Sequence, residues 1–172
     1  MKGPVRVGIV IGSDSDLEVM RETVKVLDAL DVASEVVVAS AHRTPGRTGE
    51  YATAAEGRGI RVLIAAAGGA AALPGVLAAW SPLPVIGVPI AATPLGGLDA
   101  LLAIAQMPSG VPVATVAIGK WGAVNAAILA AQILAVGDPA LRERLVAYRK
   151  RLAEDVDERA RRVAEQMKAQ ER

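Results

Sequence analysis

Cysteine is absent from the 172 residues, and so is phenylalanine. Without cysteine there is no disulfide, no thiolate nucleophile and no cysteine-based metal site. Histidine occurs once, at His42, so a histidine-based metal site is not expected either and no metal is assigned. Aromatic residues are scarce, two Trp and two Tyr, which disfavours a flavin-binding module. The charge is nearly balanced, 19 Lys and Arg against 18 Asp and Glu. With no basic patch interleaved with aromatics, no nucleic-acid partner is expected. The opening residues MKGPVRVGIVIG lead directly into a strand-like segment, without the apolar stretch and cleavage site of a secretory signal, so a cytoplasmic location is expected. From Val62 to Leu98 there is no charged residue, which invites a transmembrane reading. Gly68-Gly69, Pro74, Pro82, Pro84, Pro89 and Pro94 interrupt that stretch too often for a spanning helix. Buried strands joined by apolar loops are expected there instead, and no membrane partner.

What is present is a chain of the size of one domain, 52% apolar and built mainly from Ala, Val, Leu and Ile. Residues 5–11 (VRVGIVI), 35–39, 62–66, 85–88 and 113–118 read as strands, most of them continuous apolar runs of the kind covered on both faces. Between them, apolar residues at helical spacing predict helices over 17–30, from Thr44-Pro45 to near Gly57 or Gly59, up to Trp80, and over 97–105. Thr44 is the expected N-cap, with Pro45 at the first helical position. Strands alternating with helices imply βαβ units and a parallel sheet covered by helices on both sides, with right-handed crossovers. The apolar helix expected over 123–136 and the long charged helix over about 139–168 follow. The latter carries one stripe, Leu141, Leu145, Tyr148, Leu152, Val156, Val163 and Met167, which could pack on its own domain or on a neighbouring subunit. One domain, 1–172, with its core over about 5–136, is expected.

Ligands of such sheets sit beyond the carboxyl ends of the strands. The first of these loops, GSDSD (residues 12–16), offers a tight turn, backbone N–H groups at a helix start, and the Ser13 and Ser15 hydroxyls. It lacks the spaced glycines of a dinucleotide fingerprint and the GK[ST] of a Walker loop. Asp16 could be an N-cap or first-turn acid, or could accept hydrogen bonds from sugar hydroxyls. The second loop, SAHRTP (residues 40–45), holds His42, which can exchange a proton near neutral pH, beside Arg43, whose planar fork suits phosphate or carboxylate. The third, AGGAAALPG (residues 67–75), is poor in side chains and apolar, consistent with a pocket that excludes water.

Taken together these segments resemble the family of N5-carboxyaminoimidazole ribonucleotide mutases (class I; the phosphoribosylaminoimidazole carboxylase catalytic subunit) of purine biosynthesis. The similarity runs over about residues 5–150 and includes QMPSGVPVATVAIG and NAAILAAQIL besides the three loops. It implies a three-layer αβα sandwich with a parallel, flavodoxin-like sheet and C-terminal helices, assembled as a homo-octamer with sites between subunits. It implies that the carboxylate on the exocyclic nitrogen of an imidazole ribonucleotide moves to carbon 4, without metal or organic cofactor. By resemblance His42 is the general acid/base. Ser13, Asp16 and Arg43 match positions that hold the ribose phosphate, with Gly12, Ser15, Ser40 and Ala41 beside them, and Gly68, Gly69, Ala70, Ala71 and Leu73 near the base. The AGGAA loop favours the mutase over the related class that carboxylates aminoimidazole ribonucleotide with free carbon dioxide. Three positions depart from the family pattern: Ala72, where the residue before LPG is normally histidine, and Ala100 and Ala103, where serines are usual. Ala72 leaves open a nucleotide-binding homologue with impaired catalysis.

Overall fold

A computed structural model describes residues 3–170. In chain order the elements are Val7–Ile11 (β1), Leu17–Ala29 (α1), Ser34–Val38 (β2), Pro45–Ala55 (α2), Val62–Gly68 (β3), Leu73–Trp80 (α3), Val85–Ile90 (β4), Leu98–Ala105 (α4), Ala114–Thr115 (β5), Gly119–Ala135 (α5) and Pro139–Gln170 (α6). The five strands form one parallel sheet in the order β2-β1-β3-β4-β5. This is the doubly wound flavodoxin-like order, whose direction of winding reverses between β1 and β3.

Alternation along the strands assigns each side chain to a layer. Val7, Ile9 and Ile11 of β1, with Val62, Ile64 and Ala66 of β3, face a cluster completed by α1, α5 and the start of α6. Val10, Leu63 and Ala65 face the opposite cluster, built on α2, α3 and α4. Most of these aliphatic side chains are fully buried, each worth about 1.5–3 kcal/mol relative to exposure. The alanines of α5 (Ala123, Ala126, Ala127, Ala130 and Ala131) are buried. Their small size lets α1 approach until Thr23 Oγ1 donates to the Ala123 carbonyl at 2.8 Å. Gly8 leaves room for the Tyr51 hydroxyl, which reaches over β1 to donate to Glu35 Oε1 on β2 at 2.8 Å.

Three expectations need correction. The strand expected over 113–118 pairs only at Ala114–Thr115. Pro112 has no N–H to donate, the run lies at the sheet edge, and after Val116 N–H reaches the Gly87 carbonyl the chain leaves the sheet. The next helix begins at Gly119, in a left-handed conformation (φ 68°), four residues ahead of the expected start at 123. Helix α2 runs to Ala55 and continues as one 3-10 turn to a left-handed Gly59 (φ 94°), which ends the helical segment where expected. Thr44 stands at the N-cap of α2 with Pro45 first in the helix, as expected, but its hydroxyl makes no cap bond and turns back to the Ser40 carbonyl. Smaller shifts extend β3 to Gly68 and β4 to Ile90, and move β2 to Ser34–Val38.

Helix α6 is anchored at its start. Asp138 accepts from the Leu141 N–H and from Arg6, and Arg144 Nε donates to the Leu30 carbonyl. Leu141 and Leu145 are buried, whereas Leu152, Val156, Val163 and Met167 further along the stripe are exposed. Among the described residues, no helix is long and apolar enough to cross a membrane.

Candidate functional site

The three loops meet at the carboxyl ends of β1, β2 and β3, where the sheet order reverses. They enclose a cleft of about 370 Å³.

Gly12 and Ser13 leave β1, and Ser13 Oγ accepts from the Ser15 N–H to start a single 3-10 turn, Asp14–Asp16. Asp16 occupies the N-cap position of α1 but makes no side-chain cap bond. Its carboxylate faces the cleft, only 7% exposed, with Ser15 Oγ donating at 3.4 Å. Burial pushes the Asp16 carboxyl above the ordinary carboxylate range, against the opposing hydrogen bonds of Ser13 and Ser15.

The second loop is tied to itself. Thr44 Oγ1 accepts from the Ser40 N–H and donates to the Ser40 carbonyl, while Ser40 Oγ accepts from Arg43 N–H and Nε–H. Arg43 Nη2 then donates to the Gly12 carbonyl at 2.8 Å, fastening this loop to the first. His42 is left at the tip, exposed to the cleft, and its imidazole makes no hydrogen bond among the described residues.

In the third loop, Gly69 (φ 61°) and Ala71 (φ 44°) adopt left-handed backbone, closed by the Ala71 N–H on the Gly68 carbonyl. For alanine that conformation costs roughly 1–2 kcal/mol, a strain of the kind stored where a loop is shaped for a ligand. Gly68, Ala71 and Leu73 line the cleft; Gly69 and Ala70 do not, and Ala70 is exposed. The structure thus brings Gly12, Ser13, Ser15, Asp16, Ser40, Ala41, His42 and Arg43 into one cavity with part of the third loop. Ala72, Ala67 and Ala92 complete the far side, so that end of the cleft is apolar.

Two contributions were missed by sequence reasoning. Ala67 and Ala92 carry no chemical signal as alanines. Arg47 lines an adjoining lobe of about 320 Å³ that also includes Gly12, Ser13, Ser40 and Arg43. Its spacing, one helical turn beyond Arg43, is the signal that could have found it. Among the described residues, no group of three or more acidic or histidine side chains is placed to hold a metal ion. The arrangement brings hydroxyl and guanidinium donors, one carboxylate and one imidazole together with a side-chain-poor apolar wall.

Comparison with known proteins points the same way. The family model described as AIR carboxylase matches residues 6–155. The chain is 55% identical over 159 residues to an N5-carboxyaminoimidazole ribonucleotide mutase of Pyrococcus horikoshii, covering 92% of this chain and 89% of the relative. It is 52% identical over 158 residues to the protein of the same name from Thermotoga maritima, covering 92% and 91%. A crystal structure of Treponema denticola PurE superposes with a TM-score of 0.80 at 25% identity, covering 88% of this chain and 94% of that one.

Proposed function

The chain belongs to the AIR carboxylase family, and from that premise we propose that it is a cytoplasmic N5-carboxyaminoimidazole ribonucleotide mutase of purine biosynthesis. The observation that carries the reading is that His42 shares one cleft with Ser13, Asp16 and Arg43 at its polar end and with Ala67, Ala71, Ala72 and Ala92 at its apolar end.

In this reading Ser13 and Arg43 donate to the phosphate and Asp16 accepts from the ribose hydroxyls. Protonated His42 gives its proton to the exocyclic nitrogen of the carbamate. The nitrogen–carboxyl bond breaks, releasing carbon dioxide and restoring the enamine-like character of the ring. Carbon 4 attacks the retained carbon dioxide, and neutral His42 removes the carbon 4 proton, so the proton account closes at zero. One shuttle serves both halves, with acid/base help of the order of a hundred- to ten-thousand-fold. The apolar end keeps carbon dioxide close and water out, and orientation of the ring supplies the rest. No metal or organic cofactor is required by this chemistry.

We infer further that the chain is a single α/β domain that assembles with copies of itself, as an octamer. The exposed continuation of the α6 stripe, Leu152, Val156, Val163 and Met167, supports docking on a neighbouring subunit.

A second reading, a nucleotide-binding homologue with weak or no turnover, is favoured by Ala72, which leaves the apolar end without a titratable side chain. Product formation from the carbamate, measured beside aminoimidazole ribonucleotide plus bicarbonate, separates the possibilities. Efficient conversion of the carbamate is the expected result. Conversion only of aminoimidazole ribonucleotide would make the chain a carboxylase using free carbon dioxide. Nucleotide-induced thermal stabilisation with no product from either would leave the binding homologue.

A further inference from the structure

The segment between β4 and α4, residues 91–97, closes the cleft on the side facing the third loop. It contributes Ala92 to the lining. It also lies so close to Gly68 that a Cβ there would come within 2.6 Å of Ala92 Cβ. Its shape is organised by one hydroxyl. Thr93 Oγ1 accepts from the Leu95 N–H at 3.2 Å and donates to Asp99 Oδ2 at 2.7 Å, while the Thr93 carbonyl accepts from Gly96. Gly96 (φ 62°) and Gly97 (φ 88°) then turn the chain into α4 through backbone that only glycine adopts readily. The second oxygen of Asp99, Oδ1, is buried and has no hydrogen-bond partner. Asp99 stands in the first turn of α4, where a carboxylate is favoured by the free N–H groups of the helix start, so the Thr93 hydroxyl is tied to a fixed point of the fold.

We propose that Asp99 is a positioning residue: through the Thr93 hydroxyl it fixes the 91–97 segment against Gly68 and so sets the apolar wall of the cleft. It touches no substrate atom. Its effect on turnover rests on the reaction proposed above, whereas its effect on the wall does not.

The test uses the full chain and the variants Thr93→Val, Thr93→Ser and Asp99→Ala, with two readouts. Hydrogen exchange of the amides at 68–71 and 91–97 is expected to quicken about ten-fold or more in Thr93→Val and Asp99→Ala, with the strand amides of β1 and β3 unchanged and Thr93→Ser like the parent. In turnover of the carbamate, the same two variants are expected to lose about ten-fold or more in kcat with KM within about two-fold, and Thr93→Ser to recover most of it. A loss of this kind is felt at the reacting end rather than at the distant phosphate end. Exchange at 68–71 that is unaltered in folded Thr93→Val overturns the proposal, as does a fall in kcat matched by an equal rise in KM. A parent chain with no turnover overturns the reaction instead, and the exchange measurement then decides the positioning role by itself.

Discussion

Arg43 Nη2 donates to the backbone carbonyl of Gly12 at 2.8 Å while Nε of the same guanidinium reaches Ser40 Oγ at 3.3 Å. One side chain therefore sets the distance between two strand-end loops before any ligand arrives, and its remaining N–H groups are presented from a fixed plane. A lysine carries the charge but has one nitrogen and no plane. Arg43→Lys is expected to melt close to the parent, because the loops are exposed, and to bind ribonucleotide about ten-fold or more weakly. Isothermal titration with aminoimidazole ribonucleotide measures this. Parental affinity in the variant would mean that Arg43 serves only the loop geometry.

His42 is the one imidazole in the cleft, and among the described residues its side chain makes no hydrogen bond that its removal would disturb. His42→Ala is expected to lose turnover by about a hundred-fold or more while keeping nucleotide affinity within a few-fold. Single-turnover assays and calorimetry on the same preparation check both halves. A folded variant that no longer binds nucleotide would assign His42 to binding rather than to proton transfer.

The buried Asp16 carboxylate carries a pH-dependent cost in stability. Burial raises its pKa in the folded protein above that in the unfolded chain. The folded state thus holds this proton more tightly, and stability from Asp16 falls as pH rises from the ordinary carboxylate value through the raised one. Above that window the charged carboxylate is a constant cost. Asp16→Asn is expected to melt higher than the parent near neutral pH and to converge with it in acid. Ribonucleotide affinity should fall about ten-fold or more as the charged acceptor is lost. Thermal melts across pH decide: a variant less stable than the parent at neutral pH would contradict the assignment.

The layers of the fold were legible because apolar runs such as those containing Ile9 and Ile64 can be satisfied only by cover on both faces. The site was legible where chemistry is concentrated in unusual residues, a single histidine and an arginine set beside serines at strand ends. What could not be read are features decided by competition in three dimensions. Thr44 has the sequence context of a cap, yet its hydroxyl finds the Ser40 backbone first. The 113–118 run has the composition of a strand, yet an edge position and Pro112 shorten it. Ala67 and Ala92 contribute only shape, and shape has no signature in one sequence. Arg47 is visible as a charge on a helix, but its share in the second lobe depends on the turn that brings Gly12 across to it.

The Gly8–Tyr51 contact predicts a coupling. A methyl at position 8 would collide with the Tyr51 hydroxyl and press on Leu63 Cδ2 at 3.0 Å. The hydroxyl cannot retreat without leaving Glu35, which Arg58 also holds. Gly8→Ala is expected to cost about 1–3 kcal/mol, as overpacking does. In a Tyr51→Phe background the oxygen is gone, and the same substitution should cost clearly less. Urea unfolding of the four proteins closes the cycle, and equal costs in both backgrounds would show that the strain lies elsewhere.

Ala72 is the position at which this chain tests its own chemistry. It precedes α3 with ordinary right-handed backbone (φ −70°, ψ −21°), is half-buried, and lines the apolar end of the cleft. An imidazole can therefore be placed there without backbone strain, and Ala72→His should fold and melt within a few degrees of the parent. The groups proposed to hold the phosphate lie on other loops, so nucleotide affinity should hold. In the proposed reaction what changes is the carboxylate end, where a second proton donor would stand near the nitrogen that is protonated before carbon dioxide leaves. Turnover of the carbamate is expected to rise, by up to about the hundred-fold that general acid help commonly gives, with KM little altered. Initial rates across neutral pH measure it. An unchanged kcat would mean that position 72 does not face the reacting group. A fall would mean that excluding water from this end matters more to the reaction than a second acid, and that the alanine is what keeps the carbon dioxide in place.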